Sequence, residues 1–233
     1  MTTSIATSMT FERVAGPFEG PTAGLAWDGE AMLFSVMALP GRILRFHPAT
    51  GETSVFRTHT MRTNGLGFGP DGALYGAQES SRRVVRFMPD GTTVLTEPQI
   101  DGRYHNQPTK LAVDARGRVW FADPHSALRS FGPQFLPYLD HASVLRLERD
   151  PQRKLWEIRR MTYDTASPRA VALAPDGKTL YVAETDNRPD GVRELRAYPI
   201  DADEMLGPPR VLHVFGRDYR GPHRGIEGMC CDA

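Results

Sequence analysis

Cysteine is almost missing from this chain. The only two, Cys230 and Cys231, are adjacent and lie close to the last residue. Neighbouring cysteines bridge only with strain, and neither belongs to a CxxC pair. A disulfide framework and a cysteine metal cluster are therefore excluded, and the two read as reduced thiols in a strand. Net charge is missing too: 28 Lys+Arg balance 28 Asp+Glu, and the isoelectric point is near 7.1. That excludes a bulk electrostatic grip on nucleic acid or anionic membrane, so neither is expected as a partner. No apolar run approaches the roughly 18–20 residues of a membrane span. Residues 1–10 hold neither a basic stretch nor an apolar core, so they read as a short disordered tail rather than a secretion signal, and a cytoplasmic location is expected. A P-loop, a dinucleotide-binding glycine turn and a Gly-x-Ser-x-Gly elbow are absent. No helical period persists over ten or more residues.

What the chain has is a repeat. Its 22 glycines and 19 prolines are spread out rather than gathered in a linker, as suits many short strands joined by turns. Ala23-Gly-Leu-Ala-Trp-Asp28, Asn64-Gly-Leu-Gly-Phe-Gly69, Thr109-Lys-Leu-Ala-Val-Asp114, Arg169-Ala-Val-Ala-Leu-Ala174 and Glu227-Gly-Met-Cys-Cys-Asp232 resemble one another. Turn sequences ending in Gly72, Gly117 and Gly177 follow three of them; proline presets φ there and glycine accepts φ > 0. A second β-rich run follows each of the first four openings, at 31–36, 73–78, 118–123 and 179–184. A third follows at 42–47, 82–88, 143–148 and 192–198, and a fourth at 52–57, 92–97, 154–160 and 210–215. Four antiparallel strands per repeat of about 40–60 residues is the pattern of β-propeller blades. An irregular β-sandwich is the alternative. The expected fold is thus all-β, a propeller with four complete blades and the first strand of a fifth. One partial propeller domain spans 11–233, with blades near 16–62, 63–106, 107–167 and 168–225 and the start of the next at 226–233. A propeller must close its sheet edges, so the chain is expected to be part of a longer protein.

Gly16-Pro-Phe-Glu-Gly-Pro21, the segment 64–72, Asn106-Gln-Pro-Thr-Lys-Leu-Ala-Val-Asp114, Val119-Trp-Phe-Ala-Asp-Pro124, the segment 173–183 and Ile226-Glu-Gly-Met229 together resemble the SMP-30/gluconolactonase/LRE-like family. The resemblance runs from about Phe11 onward. It implies a six-bladed propeller, a calcium or other divalent ion in the central channel, and hydrolysis of sugar lactones or related esters. A small-molecule lactone or carboxylic ester is the partner it implies.

The geometry of a propeller gives the site independently of the name. Innermost strands all start at one end of the channel, so equivalent residues of successive repeats converge there. The column reads Ala23, Asn64, Thr109, Arg169 and Glu227, with Glu19, Asn106 and Lys110 close by. A hard cation needs several oxygen ligands, and a metal-bound water or a polarised carbonyl would then carry the hydrolysis. Glu19, Glu227 and Lys110 are the candidate catalytic residues. Asn64, Asn106, Thr109 and Arg169 are the candidate substrate-binding residues, and Glu19 and Glu227 the candidate metal ligands. The chain departs from the family pattern, which usually has Asn-Asp where Thr109-Lys110 stand and Asn-Gly where Arg169-Ala170 stand. Lys110 and Arg169 would repel a cation. Without an ion they are expected to pair with Glu19 and Glu227 or to bind a substrate carboxylate, which suits arginine's planar fork. The alternative function is a non-catalytic propeller that binds a small anionic ligand or a protein.

Other residues invite a role. Asp123 reads as a turn cap or a general base. His105 and His223 read as surface residues that could also reach the channel. Residues 124–141 form a long inter-strand insertion, either a lid or a packed loop. Residues 79–83 read as a solvated polar turn, and Trp120 and Trp156 as packing residues.

Overall fold

The computed structural model describes residues 12–125, 137, 139–216 and 225–231, and every regular element among them is a β-strand. Four four-stranded antiparallel sheets follow one another along the chain, each a simple meander. The first holds β1 (Thr22–Trp27), β2 (Met32–Val36), β3 (Arg42–His47) and β4 (Glu52–Thr58). The second holds β5 (Thr63–Phe68), β6 (Leu74–Gln78), β7 (Arg83–Phe87) and β8 (Thr93–Leu95). A short hairpin, β9 (Gln99–Ile100) with β10 (Arg103–Tyr104), leads to the third sheet. That sheet holds β11 (Leu111–Val113), β12 (Val119–Asp123), β13 (Ser143–Arg149) and β14 (Trp156–Arg160). The fourth holds β15 (Pro168–Leu173), β16 (Thr179–Thr185), β17 (Arg193–Pro199) and β18 (Arg210–Val214).

The turn between the first two strands is built the same way in each sheet. An aspartate carboxylate accepts backbone amides just ahead: Asp28 from Glu30 and Ala31, Asp71 from Ala73, Asp114 from Arg116 and Arg118, Asp176 from Lys178. A glycine at positive φ completes it, at Gly29, Gly72, Gly117 and Gly177. In the first two sheets the third strand returns an arginine to that aspartate, Arg45 to Asp28 and Arg86 to Asp71, both at 2.7 Å. Turn and third strand are thereby fastened at the same point.

The core lies between successive sheets. Leu33 and Ile43 of the first meet Leu66, Val85 and Phe87 of the second. Tyr75 and Val84 of the second meet Phe121, Leu145 and Leu147 of the third. Trp120 and Val144 of the third meet Val171, Leu180 and Tyr198 of the fourth. Second strands are sandwiched and buried at every position in β6 and β12, whereas β4, β8 and β18 are mainly exposed. Trp120 and Trp156 are packing residues, as expected. Trp120 is fully buried, donates from Nε1 to Asp114 at 3.0 Å and lies under the Arg146 guanidinium, while Trp156 packs edge-on against Tyr75.

Innermost strands β1, β5, β11 and β15 lie side by side in chain order. Their backbones come very close. A Cβ on Gly65 would lie 2.5 Å from the Thr109 carbonyl oxygen, and one on Gly24 would lie 2.6 Å from that of Asn64. Only glycine permits this spacing. Ile226–Cys231, expected as the opening strand of a further sheet, carries no strand assignment. Such a strand is defined by its ladder to a second strand, and no second strand for it lies among the described residues.

Candidate functional site

Three of the innermost strands have irregular ladders near their starts, β1 slipping between Ala23 and Ala26. The β5 ladder slips between Thr63 and Gly65 and the β15 ladder between Pro168 and Ala170. Asn64 and Arg169 are therefore the unpaired residues of two equivalent bulges. A bulged residue is freed from the ladder, and its side chain can be re-aimed.

Asn64 is the centre of a polar cluster. Its Oδ1 accepts a short hydrogen bond from the Lys110 ammonium, and its carbonyl oxygen lies 3.4 Å from the same Nζ. Its Nδ2 donates to Glu79 Oε1 at 2.5 Å. Glu79 in turn pairs with Arg62 at 3.3 Å, both side chains being less than one-fifth exposed. Glu227 reaches Lys110 electrostatically, and Gly228 lies beside the lysine stem. Burial holds the Lys110 ammonium below the usual lysine range, and Glu79 and Glu227 oppose that shift. The lysine is thus a partly desolvated cation held between two carboxylates and fixed by an amide.

The next strand adds Thr109 and Arg169. Thr109 donates from Oγ1 to the Arg169 carbonyl oxygen at 2.9 Å. Thr185 makes a comparable bond to the Ile226 carbonyl oxygen at 3.0 Å. Contrary to expectation, the Arg169 guanidinium pairs with neither Glu19 nor Glu227: among the described residues no carboxylate lies within 4.0 Å of it. Its Nε is buried without a hydrogen-bond partner.

Asn64, Lys110, Thr109, Arg169 and Glu227 are therefore brought to one end of the innermost strands. Glu19 is exposed in the segment before β1 and makes no hydrogen bond or ion pair with the described residues. Asn106 is turned into its own sheet, donating from Nδ2 to the carbonyl oxygens of Asp123 at 3.1 Å and His141 at 2.9 Å. Glu79 is the participant that sequence reasoning missed. Residues 79–83 read as a solvated turn, yet the Glu79 carboxylate is turned inward onto Asn64 and Arg62. The signal was positional, since Glu79 directly follows the second-strand end that pairs with the start of β5.

Asp123 caps a backbone amide. Its Oδ2 accepts the Asn106 amide at 2.7 Å. Gln78 and Glu184 occupy the same place in their sheets: Gln78 donates to the Thr60 carbonyl oxygen, and Glu184 accepts the Ala166 and Ser167 amides. One side chain at the end of each of these second strands thus pins the loop that delivers a site residue. His105 is fully buried, its Nδ1 3.6 Å from Asp123 Oδ1 and its ring against Phe121, not at the surface. His223 and most of the 124–141 insertion lie outside the described residues.

The donor set at this end of the innermost strands does not suit a hard divalent cation. Asn64 Oδ1 is taken by Lys110, Thr109 Oγ1 is spent as a donor, the Asn106 amide points into its sheet, and two fixed cations stand in the ring. Among the described residues no group of three or more His, Cys, Asp or Glu is placed to hold a metal.

The sheets define a β-propeller type of fold, and the comparisons agree. Residues 21–233 match the SMP-30/Gluconolactonase/LRE-like region family, and the chain belongs to it. A gluconolactonase from Zymomonas mobilis is 26% identical over 170 residues, covering 72% of this chain and 44% of that protein. The structure of a gluconolactonase from Xanthomonas campestris superposes with TM-score 0.73 at 28% identity, over 91% of this chain and 66% of that one. Regucalcin from Agrobacterium tumefaciens, a calcium-binding protein, shares the fold with TM-score 0.64 at 16% identity, over 91% of this chain and 64% of that one. The chain thus spans less than two thirds of the length of these relatives.

Proposed function

We propose that this chain carries the site of a hydrolase that opens a lactone, or a related ester, of a small sugar-like acid. Family membership supports the reaction class, and the Lys110–Asn64–Glu79–Glu227 cluster is the observation that carries the assignment of roles. Lys110, oriented by both oxygens of Asn64, faces the carbonyl oxygen and stabilises the negative charge that develops on it. Glu227, exposed beside it, takes a proton from the attacking water. Water oxygen bonds to the carbonyl carbon, the ring C–O bond breaks, and the proton passes to the departing alkoxide, giving the hydroxy acid. Glu79 holds the lysine charged, and Arg62 holds Glu79. No step is routed through a metal, because the donors present do not fit one, and Glu19 has no part in it.

The test is a lactone panel assayed with chelator and with added calcium, zinc or manganese, comparing the parent chain with Lys110→Met and Glu227→Gln. Turnover in chelator that both substitutions abolish is the expected result. Turnover that requires a metal and survives Lys110→Met overturns the assignment.

A further inference from the structure

We propose that the mouth holds a carboxylate-binding site centred on Arg169, so that the preferred substrate is a lactone with a second, free carboxylate. The lactone half rests on the hydrolytic reading above; the anion half does not. Around the mouth, three cations (Arg62, Lys110, Arg169) face two carboxylates (Glu79, Glu227). Arg62 and Glu79 neutralise each other at 3.3 Å, and Lys110 lies between Glu79 and Glu227. Arg169 alone of the three has no acid partner among the described residues, and its Nε donor is buried and unmatched.

A partly buried guanidinium with an idle donor is unfavourable unless something completes it. A neighbouring acid or carbonyl oxygen would satisfy a structural arginine, and among the described residues none bonds this guanidinium. The bulge at Pro168/Ala170 places Arg169 where the equivalent bulge places Asn64, at the end of the innermost strand. Its backbone is fixed there by Thr109 Oγ1. Nε is enclosed by the chain, so the guanidinium offers its two terminal nitrogens as a planar fork, the geometry that a carboxylate matches with two parallel hydrogen bonds. Lys110, one strand away, is held by Asn64 and serves the carbonyl. Two cations on neighbouring strands then anchor the two ends of one small molecule.

The experiment compares glucaro-1,4-lactone, which keeps a free carboxylate, with neutral glucono-1,5-lactone, and measures glucarate binding by calorimetry at low and high salt. The expected result is a preference for the anionic lactone and salt-sensitive glucarate binding. Arg169→Gln should weaken both by about ten- to a hundredfold, and Arg169→Lys by less, since it keeps charge without the fork. KM should rise more for the anionic lactone than for the neutral one, and that difference reads the carboxylate contact. Circular dichroism melts of both variants separate lost binding from lost folding. Glucarate binding that depends on Arg169 without turnover of either lactone would leave the anion site standing and remove the hydrolytic reading. Turnover of both lactones with equal KM, unaffected by Arg169→Gln, would overturn the anion site and leave hydrolysis standing. Absence of glucarate binding at low salt by a folded parent chain would also overturn it.

Discussion

Glu184→Gln should abolish a pH dependence of stability that the parent chain carries. Glu184 is 1% exposed at the end of β16, and burial raises its carboxyl from 4.5 to about 7 against the pull of the Ser167 and Ala166 amides. At about 1.4 kcal/mol per pH unit of displacement, that amounts to roughly 3 kcal/mol. The folded state holds the proton more tightly than the unfolded chain does. This carboxyl is therefore least costly below pH 4.5, and stability falls as pH rises from there through about 7, where the folded form also ionises. Glutamine keeps an oxygen for the two amides and never ionises, so its contribution is flat across that window. Its NH2 group inherits the unpartnered place of Oε2, which subtracts about 1 kcal/mol from the gain at pH 8. Urea unfolding of both proteins at pH 5, 6, 7 and 8, followed by circular dichroism, reads the difference directly. Parallel pH profiles for the two would refute the reasoning.

Asp123→Ala strips the acceptor from the buried Asn106 amide and should cost about 1–3 kcal/mol in denaturant unfolding. Gly65→Ala drives a Cβ into the backbone of Thr109 to Leu111; overpacking of that kind costs about 1–3 kcal/mol, visible as a lower melting temperature. Glu79→Gln removes the carboxylate that most raises Lys110. The pH profile of Lys110 acylation, read by mass spectrometry, should then move to lower pH; no movement would show that Glu79 does not hold the lysine charged.

The strands were legible because their signals are local. The alternation of 42–47 and 143–148, and the Asp-Gly turns at 71–72 and 176–177, depend on nothing beyond their own few residues. The third-strand run at 42–47 coincides with Arg42–His47, and that at 143–148 differs from Ser143–Arg149 by one residue. The column Asn64, Thr109, Arg169 was legible because repeats are radial copies. What the sequence concealed is direction. Nothing in the order of residues says that Asn106 turns into its own sheet while Asn64 faces Lys110, because the bulge that re-aims Asn64 is a property of the ladder. Glu79 was hidden for the same reason: whether a turn carboxylate is solvated or turned inward depends on Arg62, seventeen positions away.

The two bulges also bear on how such a site could change over generations. A bulged residue contributes nothing to its ladder, and its loop is pinned by a different residue on the neighbouring strand, Gln78 for one and Glu184 for the other. Drift at position 169, whose side chain makes no bond among the described residues, is therefore insulated from the stability threshold that limits most substitutions, whereas position 64 is tied to Lys110 and Glu79. Specificity at this mouth can be rewritten one residue at a time, while the scaffold that presents it stays under separate selection.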